Sequence, residues 1–219
     1  MRGRFTAAVL AVAVVALAVA TGASADRERI ELTKTGQRAA KVAVLRRTDL
    51  SVPRSWTGTA KRPTLGWATS CPGFRPKQHD LVVVGAAEHL WRRGAIEHDS
   101  EAQVLRTRRM VLADWKRTVR KPQVLGCLSH NVRQSLTASE RLSYVTRLPL
   151  PHLAALARLY RTVITVHTQT GKTAVVVDAL LIGVRRTEIT LTTTALYSQR
   201  KAVTRAEIRL ARILIRRAR

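Results

Sequence analysis

LYRTVITVHTQTGKTAVVVDALLI, from Leu159 to Ile182, is the longest run in the chain that reads as β structure. Two segments rich in Val, Ile, Thr and Tyr flank Gln169-Thr170-Gly171-Lys172, the composition of two strands joined by a tight turn with Gly at a positive-φ position. In the first segment Tyr160, Thr162, Ile164 and Val166 share one face. Arg161, Thr165 and His167 fall on the other with Val163, so that face is expected to be half-wet. The second segment, Thr173 to Ile182, is apolar on both faces except at Asp178, which places it deeper in the sheet. Glu188 to Tyr197 alternates again, with Ile189, Leu191, Thr193, Ala195 and Tyr197 against Glu188, Thr190, Thr192 and Thr194, and completes a three-strand meander.

Outward from this meander the elements are grouped. Thr33 to Arg47 carries a helical stripe of Ala39, Ala40, Val42, Ala43 and Val44, with Thr33 or Thr35 as cap and Gly36 as an early interruption. The stretch from Pro53 to Pro76 is rich in Pro and Gly and reads as loop, packed down on the domain by Trp56 and Trp67. Asp80–Trp91 and Ala95–Leu105 read as a hairpin, although Ala86 to Leu90 is also compatible with helix. Helices are expected over Arg106–Val119 and over Pro122–Leu136, the second starting behind proline, and a short strand over Arg141–Leu148. Ala202 to Arg217 is the last helix, with Val203, Ala206, Leu210, Ile213 and Leu214 on one stripe and Arg205, Arg209, Arg212 and Arg216 opposite. Strands and helices that cluster rather than alternate indicate an α+β fold: an antiparallel β-sheet with helices packed on its faces, αβα sandwich-like.

The N-terminus sets the compartment. Arg2 and Arg4 precede an apolar run from Ala7 to Ala20 and then Thr21-Gly22-Ala23-Ser24-Ala25, the pattern of a secretory signal over residues 1–25, with a single domain over 26–219. The alternative is an uncleaved anchor, but the run is shorter than the roughly 17 to 25 residues that span a bilayer. Cys71 and Cys127 are the only cysteines, and an even count in an exported chain points to one disulfide, against two buried free thiols. The formal charge is +25, from 39 Lys and Arg against 14 Asp and Glu. That excess attracts polyanions at low ionic strength. Nucleic acid is disfavoured as the partner, because an exported protein seldom meets it and the few aromatic residues are not interleaved with arginine as a stacking platform requires.

No catalytic constellation emerges. Gly171-Lys172-Thr173 resembles the end of a phosphate-binding loop, but Val166 occupies the place of the first glycine and the segment joins strand to strand. No Gly-x-Ser-x-Gly elbow exists, Ser70 and Ser129 stand as ordinary polar residues, and the scarce carboxylates show no evident pairing. His79, Asp80, His98 and Asp99 are where a metal site would be sought, since a hairpin would bring its two ends together, but solvated loop histidines are the simpler account and no metal or cofactor is expected. Asp178 is expected either to point outward at a sheet edge or to pair, buried, with an arginine such as Arg161.

LRRTDLSVPRSW (Leu45 to Trp56), SCPGF around Cys71, ADW in a helix and QVLGCL around Cys127 together resemble exported proteins of actinobacterial type. Those are similar to the extracellular sensor domains of bacterial serine/threonine kinases and to PsbP-like αβα sandwiches. The resemblance implies a curved antiparallel sheet, a cysteine pair, and ligand or partner binding rather than catalysis. The expectation is therefore an exported, non-enzymatic envelope protein that binds an anionic cell-wall polymer or lipid headgroups. Its contacts would come from Arg106, Arg108, Arg109, Arg205, Arg209, Arg212 and Arg216. The alternatives are a small hydrolase or transferase with its site beside Trp56 and Trp67, and a chaperone-like assembly factor that uses an exposed apolar sheet face.

Overall fold

The computed structural model describes residues 26–63, 70–169 and 171–219; the expected signal segment and Trp67 lie outside them. In chain order the elements are β1 (Arg29–Ile30), α1 (Lys34–Ala43), β2 (Thr57–Lys61), β3 (Val82–Arg93), β4 (Ile96–Leu105), α2 (Arg108–Arg117), α3 (Gln123–Ser135), β5 (Glu140–Leu148), β6 (Leu156–Thr168), β7 (Gly171–Val184), β8 (Thr187–Leu196) and α4 (Arg200–Ala218). The strands form one eight-stranded sheet in the order β1-β3-β4-β8-β7-β6-β5, with β2 also paired to β3. Every described pairing is antiparallel except β1 with β3. This is the α+β architecture expected from the grouping of elements.

The meander is where the sequence puts it. β6 pairs with β7 from Leu156↔Gly183 to Thr168↔Gly171, and Gly171 has φ +135°. β7 lies between β6 and β8, and its side chains from Val175 onward are buried or half-buried. Alternation sorts the sheet into two faces. One presents Ala102, Val104, Leu159, Leu180, Ile182, Ile189 and Leu191, all buried against α1 and α4. The other presents Val83, Ala86, Leu105 and Leu156, which enclose Val111 and Trp115 of α2. Burying a side chain of Val or Leu size contributes about 1.5–3 kcal/mol, so the larger cluster under α1 and α4 is the main core.

Three departures from the sequence reading have physical causes. The expected helix over Thr33–Arg47 ends at Ala43, because Val44 turns extended (φ −90°, ψ 161°) and both Val44 and Leu45 are thereby sunk into the core, with Leu45 N–H donating to Ser100 Oγ at 3.2 Å. A short 3-10 turn, Arg47–Asp49, follows, in which Asp49 accepts from Arg46 N–H at 2.8 Å. The presumed loop contains β2, an edge strand exposed at all five positions; Thr-Gly-Thr-Ala-Lys carries no alternation because neither of its faces is buried. The expected half-wet face of the first meander strand is dry at Arg161, since α4 closes over it. Arg161 Nε donates to Asp178 Oδ1 at 2.7 Å, Nη2 pairs with Asp178 Oδ2, and Nη2 also reaches Thr204 Oγ1 at 2.7 Å. Asp178 is thus the buried partner of Arg161 rather than an edge residue, at 0% exposure. Ala86 to Leu90 is strand, as the hairpin reading has it, with a register shift between Val83 and Gly85.

Gly36, the apparent interruption in α1, is what lets the helix lie on the sheet. A Cβ there would fall 2.1 Å from Val84 O, and one on Gly85 would fall 2.1 Å from the Gly36 carbonyl. Backbone therefore rests on backbone where α1 crosses β3. Thr33 caps the helix by accepting from Gly36 N–H at 3.0 Å.

Candidate anion-binding surfaces

α1 and α4 lie on the same face of the sheet, and their apolar sides are used up by it: Ala40 and Ala43 of α1 and Val203, Leu210, Ala211, Leu214 and Ile215 of α4 are all buried. What remains outward is of one sign. α1 has no acidic residue, and the only acid of α4, Glu207, is fully buried. Lys34, Arg38 and Lys41 of α1 and Lys201, Arg205, Arg209, Arg212 and Arg216 of α4 are exposed. Two arginines also pin the layer down: Arg209 Nη1 donates to Asp49 O at 2.7 Å, and Arg217 donates to Val44 O at 3.1 Å and pairs with the Asp49 carboxylate. Cations with no carboxylate interspersed on the same helix faces sum to a positive potential over that surface.

The arginines read from the sequence as one contact set are divided by the sheet. Arg205, Arg209, Arg212 and Arg216 stand on the α1/α4 side, whereas Arg108 and Arg109 open α2 on the opposite side, behind the Thr107 cap, which accepts from Met110 N–H at 3.3 Å. Arg106 precedes α2 and is ion-paired with Glu31. One flat anionic surface cannot touch both groups together. Lys34, Arg38 and Lys41 were not read from the sequence, because the contact between α1 and α4 joins residues more than 150 positions apart; the lack of acids in α1 and the single acid of α4, Glu207, were the available signal.

The carboxylates, which showed no pairing along the chain, are brought together by the fold. Seven of the 14 gather on the α2 side: Glu88, Glu97, Asp99, Glu101 and Glu188 from the strands, Asp114 from α2, and Glu28 from the segment before β1. Glu88 stands directly opposite Glu101, and Gln103 opposite Glu188. Lys61 spans Glu88 and Asp99 at 3.2 and 2.7 Å. Burial, then the nearby Asp114 and Glu101, pushes Glu28 up to about 7; burial, with Glu88 and Asp99 beside it, pushes Glu101 to about 7. Glu188 is held well above the usual carboxylate range by burial, Asp114 and Glu28. These groups keep protons into the neutral range, which spares the fold the cost of burying so much charge.

On the opposite face, Glu207 lies beside Asp178 with neither oxygen in hydrogen-bonding geometry to a described donor, and burial, with Asp178 adjacent, raises it well above its ordinary value. Arg161 therefore pairs with Asp178 while Glu207 lies next to that pair. His98 shares this face. It is stacked on Trp56 at 5.1 Å and bonded through Nδ1 to Thr193 Oγ1 at 2.9 Å, and burial lowers it to about 4.

The suggested metal quartet is dispersed. His79 Nδ1 meets Asp26 at 2.7 Å, Asp80 takes both Nη atoms of Arg117, His98 is buried under α4, and Asp99 faces Lys61 across the sheet from it. Among the described residues no group of three or more His, Cys, Asp or Glu side chains is placed to hold a metal ion. Trp56 is a core residue whose Nε1 donates to Ser51 O at 2.9 Å, with Arg93 over its ring at 4.9 Å; Ser129 Oγ donates to Leu125 O within α3. Cys71 and Cys127 are disulfide-bonded, with Cα atoms 5.5 Å apart, and tie the turn Cys71–Phe74 to α3. No family model matches the chain, and neither the curated proteins nor the solved structures give a match.

Proposed function

We propose that the protein is an exported, non-enzymatic, sensor-like binding protein of the cell envelope whose α1/α4 surface holds an anionic component, a wall polymer or lipid headgroups. The observation that carries this reading is the sign of that surface: eight exposed Lys and Arg side chains, Lys34, Arg38, Lys41, Lys201, Arg205, Arg209, Arg212 and Arg216, with no exposed carboxylate on either helix. α4 acts here as a docked cationic plate. Its apolar stripe is already spent on the sheet, so it meets a lipid surface through headgroups rather than by burying itself in acyl chains. A disulfide accords with an oxidising compartment, and no helix among the described residues is long and apolar enough to cross a membrane.

Cosedimentation with phosphatidylglycerol-containing vesicles, and separately with teichoic-type polymer, tests the reading across a salt series. Binding carried by charge weakens steeply from low to physiological ionic strength, since the screening length falls to about 8 Å. Absence of binding to both at low salt would leave the charge as compositional bias alone.

A further inference from the structure

The turn held by the disulfide forms one wall of a cavity of about 300 Å³ on the α2/α3 side of the sheet, lined by Gly73, Phe74, Arg75, Pro76, Lys77, Arg117, Lys121 and Gln123. Four of these carry positive charge. Arg75, Lys77 and Lys121 are exposed and have no ion pair among the described residues. Arg117 is committed: its two Nη atoms fork onto the Asp80 carboxylate, and Nη1 also donates to Lys77 O at 3.0 Å.

The walls are fixed from several directions. Cys71 and Phe74 exchange backbone hydrogen bonds at 3.0 and 2.9 Å, the disulfide fastens this turn to α3, and Asn131 Nδ2 donates to Ser70 O at 3.2 Å. Asp26 accepts from the backbone N–H groups of Gln78 and His79, both at 3.2 Å, so the far end of the loop is fastened too. Phe74 and Pro76, both buried, make the floor apolar. α3 begins at the rim, and Pro122 at its cap offers no side-chain oxygen to the first-turn amides.

We propose that this cavity is a binding site for a small ligand bearing a phosphate group, with Arg75, Lys77 and Lys121 as the direct contacts and Arg117 as the positioning residue that holds the Lys77 backbone. Three free cations on a pinned frame suit a compact, multiply charged oxyanion, and an apolar floor suits the ring or chain that carries it. The site lies across the sheet from the α1/α4 surface and does not depend on it.

The test is a nuclear magnetic resonance titration of the disulfide-bonded protein with inorganic phosphate and with phenyl phosphate, ionic strength being held constant with sodium chloride. The expected result is saturable shifts of the Gly73, Phe74, Lys77 and Gln123 amides, tighter for phenyl phosphate, and at least tenfold weaker binding in K77Q/K121Q. Both replaced side chains are exposed, and the unperturbed spectrum checks the fold; R75Q serves if the double variant is misfolded. R212Q/R216Q on α4 should leave the titration unchanged while weakening attachment to vesicles, so failure of this site and failure of the envelope-surface reading give different results. Linear, non-saturating shifts, or equal affinity in wild type and K77Q/K121Q, would overturn the proposal.

Discussion

Replacing Glu28 by Gln should leave stability unchanged near pH 4.5 and raise it progressively as the pH climbs to about 7, the gain being complete above that. Glu28 is 9% exposed, its Oε2 has no hydrogen-bond partner among the described residues, and it faces Asp114 of α2, Glu101 of β4 and Glu188 of β8. Its folded-state pKa is raised from 4.5 to about 7. The native state therefore binds this proton more tightly than the unfolded chain does. Below about pH 4.5 both states hold it and the group is neutral in the balance. Between about 4.5 and 7 the unfolded chain releases the proton first and stability falls; above 7 the full cost is present. At about 1.4 kcal/mol per pH unit that cost approaches roughly 3 kcal/mol. Glutamine has the same shape and never ionises. Urea unfolding of E28Q and wild type at pH 4.5 and pH 8.5 should give near-equal stability at the lower pH and a gain of up to about 3 kcal/mol at the higher. A variant that is equally destabilised at both values would refute the reasoning, because Glu28 would then contribute through contacts of its ionised form.

Other consequences are open to the same kind of measurement. The C71S/C127S variant opens a cross-link between cysteines 56 positions apart and should lose about 4 kcal/mol in the chain-entropy model, read by denaturant melts under non-reducing conditions. D178A strands Arg161 beneath α4 and should cost about 3–5 kcal/mol, while R161M/D178L should lose less than the sum of its single changes in a double-mutant cycle. G85A sets a methyl group against the Gly36 carbonyl and should cost about 1–3 kcal/mol, visible as a lowered thermal midpoint, whereas G126A, whose Cβ meets nothing within 4 Å, should not.

Local pattern carried the strands and helices, and long-range closure carried most of what was missed. β6 and β8 were legible because alternation is written into their residues, and β7 because it is apolar on both faces and lies between them. β2 was not, since an edge strand exposed at every position has no such mark. Arg161 could be offered as one partner for Asp178 in advance, and the register of the β6–β7 hairpin, Arg161↔Asp178, is what selects that reading over an edge position. The assembly of Glu28, Glu101, Asp114 and Glu188 could not, because four elements contribute one residue each and charge alone does not say that acids will be buried together. The arginine stripe of α4 was plain from its period, but only the layering reveals that Lys34, Arg38 and Lys41 continue it and that Arg108 and Arg109 stand on the far side of the sheet.

The central claim is that one face, rather than the net charge of +25, holds the envelope component. Two variants that remove the same charge decide it: R212Q/R216Q on α4, and R108Q/R109Q on α2, compared for binding to phosphatidylglycerol-containing vesicles at low salt. Each basic side chain near an anionic surface contributes about 1 kcal/mol, so the α4 pair should weaken binding by roughly thirtyfold and the α2 pair by little. Equal losses in the two variants would contradict the account, since the surface chosen by the fold would then be irrelevant to attachment.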